Sequence, residues 1–329
     1  MFLYGIGHAM ADYYFSLPQG AALPPPLNVR QAAHIEPDAL TRLLGELRRT
    51  AGSTEYAESG GSCVNMLKTA AALGARTLFS GAAGSTPAGG RDSAALFMQR
   101  KLAQAGVEAR LSLKTKPTGR CLIVNCAGAH AIAASPSAAA MLAATDFDAQ
   151  AAAKADAVII EGMQLANGAV FDAAHQTCLR SGATLVIAAA TLYGASQLAP
   201  RVPQLNELSQ VLIFTNRAEW ECAALKPRLL GGSYLITVTD GAHGARAVSY
   251  EHGSEQSRAS FAPPPEPNQN AIEPTGAGDV FAGAFAVRWL EAGKKKDEQS
   301  LSALLAFAHG AARTVLYRPL CSVHRPLRT

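Results

Sequence analysis

Several features that announce a function are missing from this chain. No window approaches the roughly 18 uninterrupted apolar residues of a membrane span. The first residues, MFLYGIGHAM, lack the positive flank and small-residue cleavage site of a signal peptide, and they read as a first strand. The cytosol is therefore the expected compartment, with no membrane partner. The six cysteines form no C-x-x-C pair and the histidines no H-x-x-x-H spacing, so structural zinc is not expected and buried reduced thiols are. Charged residues are only 16% of 329, the formal net charge is +4, and the one dense basic run is KKK at 294–296. That run follows a glycine at an apparent helix end, where cations complement exposed carbonyls. A nucleic-acid partner is accordingly not expected. Hydrophobic residues at 49% describe a soluble globular protein with core enough for one large domain, or one domain with an appendage.

What is present is alternation. RTLFSG (76–81), DAVIIEG (156–162), ATLVIAA (183–189), VLIFTN (211–216) and YLITVTDG (234–241) are short apolar runs rich in β-branched residues and bounded by turn residues. Such runs suit strands buried on both faces. Between them lie helical patterns. Leu40, Leu43, Leu44 and Leu47 fall at i, i+3, i+4, i+7, with Pro37 at a first helical position and Gly52 beyond the end. The alternation predicts an α/β fold, a doubly wound and mostly parallel sheet with helices on both faces. Two stretches break the rhythm, 13–60 and 107–135, and both read as small-sheet insertions forming a β lid within a single domain spanning 1–329. CLIVNCAGAHAIAAS looks like a hairpin turned at Gly128, and APPPEPNQN (262–270) like a proline-rich surface loop. There is no internal repeat.

The most informative stretch is PTGAGDVFAGAF (274–285). Gly276 and Gly278 permit close backbone approach, and the apolar run after them has helical spacing up to Gly293. Gly276 to Asp279 therefore sit at a helix N-terminus, where free N–H groups and the helix dipole attract anions. Beside an anionic phosphate a carboxylate is repelled as a ligand, but it can take a proton from an attacking hydroxyl. The plainer reading is an acid placed in a first turn for the dipole alone. Rival nucleotide motifs fail. No G-x-x-x-x-G-K-[ST] occurs, the third glycine of a dinucleotide fold is replaced by Phe281, and GIGHAM fails likewise at Met10.

TGAGDVFAGAF resembles the C-terminal signature of the ribokinase-like (PfkB) family of small-molecule kinases, and the similarity runs in order over nearly the whole chain. GGSCVNMLKTAAALGA (60–75) resembles the N-terminal signature, PTGRC (117–121) a lid strand and FTNRAEW (214–220) the family's N-x-x-E. VTDGAHGA (238–245) resembles its nucleotide loop and FAHGAA (307–312) the helix beside the adenine.

The resemblance implies roles residue by residue. Asp279 is the general base, and the amides of Gly276, Ala277 and Gly278 hold charge developing on the transferred phosphate. Asn216 and Glu219, three apart on one helix face, organise Mg2+ and its waters; the plainer reading of Glu219 is a first-turn acid. Thr239, Gly241 and Gly244 match the nucleotide turn, which by itself reads as a tight hairpin. His309 either stacks near the adenine or is packed core. On the acceptor side, Asp12 binds hydroxyls with its two oxygens, joined by Gly60, Gly61 and Asn65. Glu161, at a strand's C-terminal end, is either a sugar contact or a simple strand-end acid.

Three departures stand out. Glu273-Pro274 replaces the usual Asp-Thr, a stretch that helps form a monovalent-cation site in many relatives, and this weakens the expectation of potassium. Gly84-Ser85-Thr86 replaces Gly-x-Asp, removing an acid. YRPLCS (317–322) replaces the common Lys/Arg-Gly-Ala tail. The resemblance implies an ATP-dependent, magnesium-using kinase acting on a hydroxymethyl group of a sugar or nucleoside. The long interval from Asp12 to Gly60 is more like adenosine-kinase relatives and leans towards a nucleoside. A homodimer through the lid is a candidate assembly. A catalytically inactive nucleotide- or sugar-binding sensor of the same fold is the alternative, and the retained Asp279 argues against it.

Overall fold

The β-branched runs fold as strands buried on both faces. The computed structural model describes residues 1–18, 20–29, 32–126, 129–264 and 275–316. In chain order the strands are β1 (Phe2–Ile6), β2 (Met10–Ser16), β3 (Ala33–His34), β4 (Thr54–Gly60), β5 (Arg76–Gly84), β6 (Glu108–Lys114), β7 (Gly119–Cys126), β8 (Ala129–Ser135), β9 (Ala157–Glu161), β10 (Thr184–Ala188), β11 (Val211–Asn216), β12 (Ser233–Thr239), β13 (Ala245–Glu251) and β14 (Ser254–Phe261). Nine of them form one sheet in the order β14-β13-β12-β11-β10-β9-β1-β5-β6. From β6 to β12 every neighbouring pair is parallel, and β13 and β14 add an antiparallel edge. One apolar layer, including Leu67, Phe79, Phe285, Trp289 and Leu305, packs on one face of this sheet. A second, including Ile6, Ile160, Phe171, Leu198 and Ile236, packs on the other. The expected doubly wound architecture is present.

The lid is a separate five-stranded sheet, β3-β8-β7-β2-β4. Its boundaries differ from the expected 13–60 and 107–135. The first segment begins at Met10, so Asp12 lies inside a lid strand. Residues 108–114 are not lid but β6, the parallel edge of the main sheet. The misassignment has a physical cause: an edge strand leaves one face wet, and EARLSLK alternates like a lid strand. β7 and β8 pair antiparallel down to Cys126 opposite Ala129, as the hairpin required, while its turn at Gly128 lies outside the described residues. The outer face of the lid is sealed by the helix Pro37–Arg49, whose Leu40, Leu43, Leu44 and Leu47 bury against Phe15, Leu122 and Val124.

Two helix contacts position the site. Helix Ser62–Ala72 presses on β1 at Gly5, where a Cβ would come within 2.8 Å of Leu67. Helix Ala277–Glu291 crosses helix Ser62–Ala72 at Gly283, where a Cβ would stand 2.7 Å from the Met66 carbonyl oxygen. Only glycine allows that approach. Phe285 and Trp289 of the same helix are fully buried, each worth ~1.5–3 kcal/mol of burial.

Candidate active site

Asp279 lies in the first turn of helix Ala277–Glu291, behind an N-cap, Gly276, with φ of 84°. The cap conformation turns the first-turn amides outward as free donors. In front of this turn opens a cavity of about 300 Å³. Its walls include Gly276, Gly278, Asp279, Asn216, Glu219 and Thr239, all expected from the sequence. Ala277 does not line it and instead packs against the core. Ser62, Phe214 and Thr275 also line it, and these the sequence reading missed.

Asp279 is held from behind by Asn65, whose Nδ2 donates to Oδ2 at 2.9 Å, and by the Ser62 side chain. Burial pushes the Asp279 carboxyl up to about 6, those two hydrogen bonds pull it down, and Glu161 adds a further upward push. A carboxylate poised there is a competent base near neutral pH.

Asn216 and Glu219 form a reciprocal capping box on the helix Arg217–Ala223. The Glu219 N–H donates to Asn216 Oδ1 and the Asn216 N–H donates to Glu219 Oε2, each at 2.9 Å. Glu219 is thus a first-turn cap that also lines the cavity. Burial raises its carboxyl, the Asn216 N–H lowers it, and Asp279 raises it again. Among the described residues no group of three or more His, Cys, Asp or Glu could hold a metal by itself. A single carboxylate does suit Mg2+, which keeps several waters and takes its other ligands from substrate phosphates.

The glycines of the turn after β12 lie apart from the cavity walls. Gly241 has φ of 55° and Gly244 φ of 96°, and a Cβ on Gly244 would collide with the Phe261 carbonyl. Phe261 in turn packs on His309, ring centroids 5.3 Å apart at 51°. Gly244, Phe261 and His309 therefore form one neighbourhood, with His309 half-buried and ring-packed.

The residues expected on the acceptor side gather on the other flank of Asp279. A Cβ on Gly60 would fall on the Asp12 carboxylate, so Asp12 leans across that glycine. Gly61 is the N-cap of helix Ser62–Ala72, with φ of 105°. Glu161 is buried, and its two oxygens accept from backbone N–H groups, Cys63 at 2.9 Å and His8 at 3.2 Å. It ties β9 to the β1–β2 link and to the helix start, a cross-brace within the site. Burial pushes Asp12 up to about 8 and Glu161 up to about 7. A different acid anchors the segment that follows 85–86. Asp92, N-cap of helix Ser93–Gln104, accepts from the Thr118 N–H at 2.8 Å, the Thr118 hydroxyl at 2.7 Å and the Ala95 N–H at 2.7 Å. The Gly84 N–H donates to that same hydroxyl at 2.8 Å, which binds the entry of β7 to the end of β5. Glu273-Pro274 and 317–322 lie outside the described residues.

An N-terminal helix turn bearing a poised carboxylate, at the C-terminal edge of a doubly wound sheet and beneath a β lid, defines a ribokinase-type fold. Solved structures agree over almost the full length. An adenosine kinase from Anopheles gambiae, in complex with P1,P4-di(adenosine-5) tetraphosphate, superimposes with a TM-score of 0.77 at 15% identity, covering 99% of this chain and 98% of that one. A probable sugar kinase from Rhizobium etli CFN 42 gives 0.74 at 18% identity, with 99% and 95% covered. An adenosine kinase from Sinorhizobium meliloti gives 0.74 at 19%, with 98% and 97% covered. No curated protein matches the chain. Residues 35–326 match the pfkB family of carbohydrate kinases, and the chain is a kinase belonging to that family.

Proposed function

We propose that the chain transfers the γ-phosphoryl group of ATP to a hydroxymethyl group of a nucleoside or sugar, a nucleoside being favoured. The observation that carries this reading is Asp279: braced by Asn65 and Ser62, it stands between the cavity and the Asp12 flank. Asp279 accepts the proton of the hydroxymethyl group as its oxygen attacks phosphorus in line. The first-turn amides at Gly276 and Gly278 donate to the charge that builds on the transferred group. Glu219 and Asn216 are the residues that would hold Mg2+, which when bound would neutralise phosphate charge. Gly241, Gly244 and His309 bound the nucleotide base, and Asp12, with Gly60, Gly61 and Asn65, receives the acceptor's hydroxyls. Glu161 acts by bracing the backbone around them. The nucleoside preference draws support from the long 12–60 interval and from the adenosine kinases among the structural neighbours.

The test is ADP release against a panel of nucleosides and sugars, with 5′-deoxy analogues as controls. Turnover is expected with at least one hydroxymethyl acceptor and not with its deoxy analogue. ATP binding without ADP release on any acceptor would favour the inactive sensor instead.

Asp12→Ala removes a buried carboxyl that bonds the acceptor's hydroxyls, an interaction worth ~1–3 kcal/mol. The acceptor's KM should rise about 10- to 100-fold while the KM for ATP holds. A mutant that lost ATP affinity and kept acceptor affinity would put Asp12 on the wrong side of the site.

Phosphoryl transfer to an alcohol also needs water kept out, so the lid must close on the acceptor. Acceptor plus a non-hydrolysable ATP analogue should slow amide exchange in 122–126, 129–133 and 33–34, and leave β10 and β11 unchanged. Equal protection everywhere, or none in the lid, would describe a site that stays open.

A further inference from the structure

Four charged side chains are packed together behind the lid, and the mechanism above uses only one of them. Asp12 on β2 and Glu58 on β4 are paired directly in the antiparallel register, so their side chains leave the same face of the lid. Both are buried, at 8% and 3% exposure. Two carboxylates so placed repel, and in a dry setting one of them takes a proton unless a cation intervenes. Two lysines arrive from the body of the protein. Lys68, only 6% exposed on helix Ser62–Ala72, reaches Glu58 Oε1 at 3.3 Å and the Ser59 carbonyl at 3.4 Å. Lys101, on helix Ser93–Gln104, reaches Glu58 Oε2 at 3.3 Å.

Glu58 does not need both. Its Oε1 already accepts from the Ser59 N–H at 2.9 Å and the Ser59 hydroxyl at 3.2 Å, and Lys101 covers its other oxygen. Burying a lysine is costly, and a second acid facing Lys68 offsets more of that cost. That acid is Asp12. The groups facing Asp12 are Glu58 from β4, Cys121 from β7, Asp279 from helix Ala277–Glu291, Glu161 from the end of β9, and Lys68. Lys68 is the cation in that set, and the three other charged members are acids.

We propose that Lys68 is a positioning residue for the acceptor: it supplies the positive charge that draws the Asp12 carboxyl toward the ionised form that accepts the acceptor's hydroxyls. This inference rests on the reading that Asp12 binds the acceptor. Burial raises the Asp12 carboxyl and Lys68 pulls it down, so loss of Lys68 shifts its titration upward. Lys68 sits three residues after Asn65, so one helix orients both the base, through Asn65, and the acceptor carboxylate, through its lysine.

The experiment compares K68M, K68R and the double variant E58Q/K68M by acceptor KM, kcat, ATP KM, melting temperature and the pH profile of kcat/KM for the acceptor. For K68M, acceptor KM at pH 7 should rise about tenfold or more, with kcat and ATP KM near wild type. The acid limb of its profile should move up by about one pH unit, and K68R should keep the limb in place. The double variant removes one charge of each sign. It should regain the melting temperature lost by K68M, and because Glu58 also repels the Asp12 carboxylate its acceptor KM should lie between those of wild type and K68M. If the double variant regains the melting temperature and the full wild-type KM, or fails to fold, Lys68 is only a structural partner of Glu58 and the inference falls. A folded K68M with wild-type acceptor KM and pH profile overturns it as well. Should D12A leave acceptor KM unchanged, the reading of Asp12 itself fails; should D12A raise KM and K68M not, only the role of Lys68 does.

Discussion

Asp279→Asn should lower turnover by about 10²–10⁴ while ATP and acceptor bind nearly as before. The amide keeps the size of the side chain but cannot take a proton. Wild-type kcat should fall about tenfold per pH unit below the Asp279 titration near 6, and the variant's residual rate should lack that limb. A stability effect of opposite sign should accompany the loss. The folded protein holds the Asp279 carboxyl above its ordinary value, so between roughly pH 4 and 6 the native state binds more protons than the unfolded chain. Ionising it therefore costs stability as pH rises through that window, and Asp12 and Glu161 extend the same slope to about 8 and 7. The substituted amide carries no such charge. The variant should melt at a higher temperature than wild type at pH 8, slow but stabler. A variant that turns over like wild type, or that melts lower at pH 8, contradicts the role given to this carboxylate.

The strands of the main sheet were legible because burial on both faces leaves continuous β-branched runs, as in VLIFTN. The phosphate side was legible for a different reason. The role proposed there falls to backbone at a helix start, and a left-handed cap demands a glycine at a fixed place, as Gly276 shows with φ of 84°. Side chains acting from within a helix leave no such mark. Lys68 sits in a helix buried on most sides, where neither periodicity nor composition says which lysine points inward. Ser62 braces the base from the first position of that same helix, and only its place directly after two glycines could have drawn attention. The Asp92–Thr118 knot joins residues 26 apart that no local pattern connects. Glu161 was correctly placed at a strand end, but its bonds go to backbone amides 98 and 153 residues away, which only tertiary structure discloses.

Gly61→Ala should be the second severe loss. Gly61 has φ of 105°, a conformation that costs an alanine ~1–3 kcal/mol. Strain is the smaller part. The new Cβ would meet the His8 carbonyl oxygen, with Glu161 Oε1 only 3.4 Å away. Neither neighbour can yield freely, because Glu161 is itself bonded to the N–H groups of His8 and Cys63. The helix start must move instead, and it carries Ser62 and Asn65, the two groups that aim Asp279. A displacement of about 1 Å at a reacting group costs on the order of 10²-fold. kcat/KM for the acceptor should fall by that order, with the ATP KM little changed. Gly74→Ala is the control: that glycine, just beyond the same helix, has φ of 91° and open space around its missing Cβ. It should share the loss of stability and keep wild-type turnover. If the two variants lose activity alike, strain relayed through the helix is responsible, not the fit of Gly61 against His8.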